Sequence, residues 1–419
     1  MNRNTSLGTI GVSLLLILMG LVTQQEAVSI DSIQSNTHDI AQQTTQTQMS
    51  KLADASNRFG FNLFSQIHTQ QPEKNVVISP NSIAIALAMA RKGTRGATNA
   101  EMTKALELAQ LDPSAIDASY LKLIETLKTA DSKVKIAIAN SLWVNQDITL
   151  QEQFINDARK FYQAEVNNLN FADSQAKDTI NNWVANNTAN KITEIVDSVS
   201  VKDALYLINA IYFKGSWTNK FDADATTEQP FYTKPNVSQS QQMMNQSGKY
   251  RYYESDRFAA IRLPYGDTEE LAMYIFLPAE TSNLTQFNQQ LNSENWQEWL
   301  SQMRSRQGNI TMPRFKLEYE ADLKPSLMDL GIESIFNPFQ ADFSAMTNAE
   351  VAIDTVKHKT FIEVNEEGTE AAAVTSIGIR ITSAQPQTSF NMNVNRPFFF
   401  AIREDVTETI LFMGNVIKP

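Results

Sequence analysis

Two periods of apolar recurrence divide this chain. Helical spacing dominates the first half. Ser79-Pro80 reads as an N-cap with proline in the first turn, leading into Ile83, Leu87 and Ala90 and stopping at Gly93. Thr98-Asn99-Ala100-Glu101 reads as a capping box opening the next helix, with Met102 and Leu106 behind it. Helical patterns also run through Ser114–Leu127, Gln151–Tyr162 and Ala176–Ala189. Strand-like runs occupy Val134–Val144, Ala204–Trp217, Phe258–Pro264, Leu271–Leu277 and Gly308–Glu318, and Thr360–Val364, Pro397–Arg403 and Thr409–Val416 close the chain. Helices gathered early and strands late predict an α+β arrangement, not strict βαβ alternation. No linker or repeat interrupts the chain after about Lys51, so residues 51–419 read as one domain.

One segment is a strand only half committed to being one. From Thr369 the alternate positions Thr369, Ala371, Ala373, Thr375, Ile377, Ile379 and Ile381 are small or apolar, and the other face (Glu370, Ala372, Val374, Ser376, Gly378, Arg380, Thr382) tolerates water. Yet it follows Glu366-Glu367-Gly368 and is rich in alanine, and alanine and glycine are poor strand formers. Such a segment suits a conformational switch.

Composition narrows the functional classes. The 419 residues are 42% hydrophobic and 19% charged, which describes an ordinary folded protein. A net charge of −11 argues against nucleic acid as a partner. With no cysteine, disulfides and thiol chemistry are excluded. Arg3 precedes an apolar run, Ile10 to Val22, of signal-peptide length, with small residues near Ala27. Residues 1–27 therefore read as an export signal or an N-terminal membrane anchor, and export, secreted or periplasmic, is expected. Residues 28–50 are mostly Ser, Thr, Asn and Gln and read as a disordered spacer.

Enzyme chemistry is hard to find. The only histidines are His38, His68 and His358. His38 falls in the spacer, and His68, on a polar helix end, is expected to be solvated. His358, flanked by Lys357 and Lys359, gives no sign of serving a nucleophile. No H-E-x-x-H, G-x-S-x-G, P-loop or metal-ligand spacing is present, so no cofactor or metal is implied.

Several motifs, in order along the chain, resemble those of the serpin family. Asn75-Val76-Val77-Ile78-Ser79-Pro80-Asn81-Ser82-Ile83 is similar to the family's early N-x-x-x-S-P-x-S-I segment. Asn209-Ala210-Ile211-Tyr212-Phe213-Lys214-Gly215-Ser216-Trp217 resembles its N-x-x-x-F-K-G-x-W strand. Thr311–Phe315 and Asp322–Gly331 look like the segment leading to the family's loop, which Val356–Thr360 and Asn395–Phe398 flank. The resemblance implies a serpin fold of three β-sheets and eight or nine helices, with an exposed reactive-centre loop at about residues 366–390. It implies a suicide-substrate inhibitor, not an enzyme. A target protease attacks the loop and becomes acylated, and the cleaved loop inserts as a new strand in the largest sheet, distorting the protease.

The chain has residues suited to that motion. Each inward residue of the inserting strand must fit without burying a charge. From Thr369 to Ile381 the inward face carries none; Glu370 and Arg380 fall outward. The three isoleucines favour insertion, at roughly 1.5–3 kcal/mol each if fully buried. Fifteen residues of strand span about 45–50 Å, enough to carry a protease from pole to pole. Glu366, Gly368, Thr369, Ala371, Ala373 and Thr375 carry the hinge, and Glu366 is expected to pair with Arg314. Ser79, Ser82, Asn209 and His358 would form a hydrogen-bonded zone where the sheet opens, with Trp217 at the entry point; a satisfied core cluster explains these residues equally well. Counting fifteen residues from Gly368 places the reactive bond at Thr382–Ser383, which suggests an elastase- or subtilisin-like serine protease as partner. Arg380–Ile381, attractive to a trypsin-like enzyme, is the competing bond. A monomer is expected, and a non-inhibitory ligand carrier or chaperone on the same fold is the alternative.

Overall fold

A computed structural model of the chain describes residues 47–369 and 389–419. The chain is helical over 47–70 (α1), then forms β1 (Val76–Ile78), α2 (Pro80–Lys92), α3 (Gly96–Ala105), α4 (Ile116–Thr129) and β2 (Val134–Asn145). Next come α5 (Glu152–Tyr162), β3 (Glu165–Leu169), α6 (Ala176–Asn187), β4 (Leu205–Ser216), β5 (Thr227–Lys234) and β6 (Val237–Glu254). They are followed by β7 (Phe258–Tyr265), β8 (Leu271–Pro278), α7 (Leu284–Asn288), α8 (Ser293–Gln302), β9 (Arg304–Pro313) and β10 (Phe315–Asp322). The chain closes with α9 (Lys324–Asp329), β11 (Ile353–Asn365), β12 (Gly368–Thr369), β13 (Phe390–Asn393), β14 (Phe398–Glu404) and β15 (Thr409–Val416).

The α+β class is as expected, with nine helices among the described residues. The described strands form two hydrogen-bonded sheets where three were expected. The six-stranded sheet runs β10-β11-β12-β4-β2-β3, and the nine-stranded one runs β1-β15-β14-β8-β7-β6-β9-β13 with β5 on β6. Strand β6 joins what would otherwise be separate sheets. Its first half pairs with β5, its centre and end with β9, and its last residues also with β7.

Helix α2 lies inside the molecule, buried from Pro80 to Arg91, and packs on β15, β4 and β2. A helix apolar all round belongs in a core. The opposite face of the six-stranded sheet is also covered: Trp143, Tyr206, Ile208 and Tyr212 pack against Ile180 and Val184 of α6.

Four local expectations change. The run Gly308–Glu318 is two strands in two sheets, because the chain crosses from β6 to β11 at Arg314, whose N–H makes the last bond to β6, at the Gln242 carbonyl (2.9 Å). The supposed capping box lies inside α3, which starts at Gly96 with Arg95 as its N-cap. Thr98 and Glu101 instead accept backbone N–H groups, from Asp342 (3.1 Å) and from Glu333 and Ser334 (2.7 and 2.9 Å), tying α3 to the 333–342 segment. The spacer expected to reach residue 50 has become helix by residue 47, where Met49 is buried in the core. His68 is buried, not solvated: its Nδ1 accepts from Asn415 at 3.1 Å, Phe64 stacks on its ring, and burial lowers its pKa. The reason is that β15 runs beneath the end of α1.

Candidate functional site

Strands β4 and β11 pair in parallel from Ile353–Leu205 to Phe361–Tyr212. Beyond that point β12 lies between them. It pairs antiparallel with β11 through Val364–Thr369 and Asn365–Gly368, and antiparallel with β4 through Gly368–Ser216 and Thr369–Gly215. Gly368 and Thr369, two of the residues expected in the hinge, therefore lie in the central seam of the sheet.

Glycine is required at the first of them. Gly368 has φ +146°, and a Cβ there would stand 2.0 Å from the Gly215 carbonyl oxygen. Thr369 is fully buried, and its hydroxyl shares a 2.7 Å hydrogen bond with that of Tyr265. Burial pushes the Tyr265 hydroxyl's pKa far upward, so it stays protonated. The Tyr265 ring stacks on Trp217, with centroids 4.3 Å apart.

Trp217 grips the turn that feeds the seam. Its indole Nε1 donates to the Asn365 carbonyl at 2.9 Å, and its backbone N–H donates to the Glu367 carbonyl at 2.9 Å. Phe221 N–H donates to the Glu366 carbonyl at 3.0 Å. Both carboxylates of the turn are held by cations from neighbouring elements. Arg314 donates through Nε and Nη2 to Glu366 Oε1 at 2.7 and 2.6 Å, and the Thr226 hydroxyl donates to the same oxygen. Lys220 pairs with Glu367. The Glu366 carboxylate is nearly enclosed while Arg314 is 43% exposed, which places this pair between a surface bridge and a buried one. The crossing from β6 to β11 is what puts Arg314 here.

Further down, a row of polar side chains crosses three strands beneath α2. Asn140 of β2 lies opposite Asn209 of β4, which lies opposite His358 of β11. Asn209 Nδ2 donates to the Ser82 carbonyl at 3.1 Å, to the Ser82 hydroxyl and to Asn140 Oδ1. His358 Nε2 accepts the Ser79 backbone N–H at 3.2 Å, so Nδ1 carries the proton and donates to Asn209 Oδ1 at 2.6 Å. Fully buried and with both nitrogens engaged, the imidazole is held neutral, its pKa lowered by burial to about 3. Ser79 joins only through its backbone; its hydroxyl, like Asn140 Nδ2, has no partner among the described residues.

The structure thus gathers the sequence-predicted residues into two places: Glu366, Gly368, Thr369, Trp217 and Arg314 at the top of the seam, and Ser79, Ser82, Asn209 and His358 lower along it. Ala371, Ala373, Thr375, Arg380, Ile381, Thr382 and Ser383 lie outside the described residues. Sequence reasoning missed Asn140, Tyr265, Thr226 and Lys220. Asn140 left a readable sign, an amide inside the apolar run Ile136–Trp143 that has to find a buried partner. The other three gave none, since their partners are remote in sequence.

No group of three or more acidic or histidine side chains suited to a metal occurs among the described residues. A separate cavity of about 860 Å³ lies near the end of α1, lined by His68, Tyr232, Lys234, Glu280, Leu284 and Arg396, among others.

Residues 54–419 match the family described as Serpin (serine protease inhibitor). The human leukocyte elastase inhibitor is 35% identical over 384 residues, covering 88% of this chain and 100% of that protein. The native structure of a thermophilic serpin, tengpin, matches with a TM-score of 0.79 at 29% identity, over 88% of this chain and 94% of that one. Human thyroxine-binding globulin in complex with thyroxine matches with a TM-score of 0.81 at 25% identity, over 89% of this chain and 99% of that one. A strand pair parted at its top by a hinge, a polar row under a buried helix, and these matches lead to one conclusion: the chain belongs to the serpin family.

Proposed function

We propose that this protein inhibits a serine endopeptidase by covalent trapping. The protease's serine hydroxyl adds to the carbonyl carbon of Thr382, and the Ser383 amine leaves with a proton, so that an ester joins Thr382 to the enzyme. The freed hinge then continues from Thr369 down the seam between β4 and β11 before water cleaves the ester. The observation that carries this reading is β12 itself: the seam already holds Gly368 and an uncharged, buried Thr369. Every next inward residue to Ile381 is small or apolar, so continued insertion buries no charge. Arg380–Ile381 is the competing bond. An elastase- or subtilisin-like target fits Thr382, and similarity to a protein named leukocyte elastase inhibitor favours the elastase-like one. The apolar run Ile10–Val22 supports action outside the cytoplasm, after export or at a membrane.

The test is incubation with elastase, subtilisin and trypsin followed by denaturing electrophoresis. A heat- and detergent-stable band at the summed mass is expected with at least one, and mass spectrometry of the released carboxyl-terminal fragment reads the bond. Loop clipping by all three without any complex would refute trapping. The second reading, a small-molecule carrier, has the 860 Å³ cavity and the similarity to thyroxine-binding globulin in its favour. It predicts clipping only.

A further inference from the structure

The junction of α2 and α3 holds a buried cation that makes no ion pair among the described residues. Arg91, in the last turn of α2, is 9% exposed. Its Nε is enclosed and unpartnered, and Nη1 reaches only Asn99 Oδ1 at 3.5 Å and Thr103 Oγ1 at 3.4 Å, the outer limit of hydrogen bonding. The equally buried Arg403, by contrast, holds both Asp405 and Glu408. The acids that line a cleft together with Arg91 are already engaged. Asp117 and Asp157 both pair with Lys92, and Asp117 also accepts the Tyr162 hydroxyl at 2.6 Å. Arginine cannot relieve its burial by losing a proton. The negative end of α2 offers only a fraction of a charge.

Arg91 lies in the wall of a cavity of about 480 Å³. Asn99, Thr103 and Arg95 line the same end, Leu108, Leu111 and Ile116 supply an aliphatic wall, and no carboxylate lines it. Arg95 is exposed and makes no ion pair among the described residues. A volume in this range with an apolar wall and a few convergent polar groups is what small-molecule sites have in common. An adjoining cleft, of about 350 Å³, shares Arg91 and Arg95 and is lined also by Asp117 and Asp157.

We propose that this cavity binds a small organic anion with an aliphatic body, its carboxylate paired with Arg91 and assisted by Arg95, and its chain lying along Leu108, Leu111 and Ile116. A carboxylate supplies the bidentate partner a guanidinium lacks here. The aliphatic wall distinguishes such a ligand from a bare anion.

Isothermal titration calorimetry of the full chain with sodium octanoate tests this, with octan-1-ol and sodium acetate as the tail-only and charge-only probes. One octanoate per chain is expected, bound at least tenfold more tightly than either control. Arg91→Met, which removes a buried charge and should fold, is expected to weaken octanoate at least tenfold. Ala109→Trp fills the cavity from its exposed rim while keeping Arg91, and should also abolish binding; it decides the matter if Arg91→Met fails to fold. Near-unchanged circular dichroism and protease reactivity establish that each variant is folded. No octanoate heat at millimolar concentration, a loss below tenfold in the folded variants, or octanol or acetate binding within tenfold of octanoate would overturn the proposal.

Discussion

Two buried hydroxyls, of Thr369 and Tyr265, meet at the top of the seam. Thr369 stands fully buried inside the sheet with its oxygen on Tyr265. Thr369→Arg would set an unpaired guanidinium in that seam, at a cost of several kcal/mol, enough to stall insertion. The variant is expected to bind its protease and be cleaved, with the stable complex replaced by cleaved inhibitor on a denaturing gel. Unchanged complex formation would mean that Thr369 is not on the inserting face. His358 sets a pH dependence whose sign follows from its burial. Its ordinary value of 6.5 falls to about 3 in the folded protein, so between those limits the unfolded chain binds the extra proton. The stability it supports is complete above about pH 6.5 and is lost as pH falls toward 3, a loss on the order of a few kcal/mol. His68, also lowered by burial, adds in the same direction. Denaturant midpoints measured from pH 7 to 4 should fall less steeply in His358→Asn than in the parent.

At the scale of elements, the sequence was legible where one face was apolar and the period unambiguous. Strands β2, β4, β7, β8, β14 and β15 lie within a residue or two of their expected limits, and so do α2 and α5. Strand β6 was not legible, because Val237–Ser247 is nearly all polar and only its partners β5 and β9 make it a strand. Helix α3 was expected, but its start at Gly96 was placed late, because Thr98 and Glu101 spend their side chains on a distant segment and do not cap it. The hinge residues were legible as a pattern, and Arg314–Glu366 as a pair, but the clamp of Trp217, Phe221 and Tyr265 needs the segment after β4 and strand β7 brought together. Strand β12 itself depends on one glycine. Gly368→Val would drive a side chain into the backbone of β4 and exclude the hinge from the seam. If insertion accompanies cleavage, nicking the loop of the parent protein should raise its Tm sharply, and the variant should gain far less by calorimetry. An equal gain would show that the strand enters without passing through the Gly368 geometry.

For the whole molecule, α2 relates the two ends of the problem. Its N-cap Ser79 and first-turn Ser82 join the polar row across β2, β4 and β11, while its last turn places Arg91 in the wall of the 480 Å³ cavity. Ligand at one end and sheet opening at the other would be reciprocally linked if the helix shifts as a unit. A comparison of trapping rates with and without octanoate reads that coupling directly. The seam has a consequence of its own, set by strand polarity. While β4 and β11 lie side by side they run in the same direction, the pairing with slanted and slightly weaker hydrogen bonds. Where β12 parts them, both of its contacts are antiparallel. In the proposed trapping, each further residue that enters would exchange one parallel rung for two antiparallel ones. The chain is therefore folded with its middle strands in the less favoured orientation, like a ratchet held one tooth from its rest position, and every rung gained makes retreat harder.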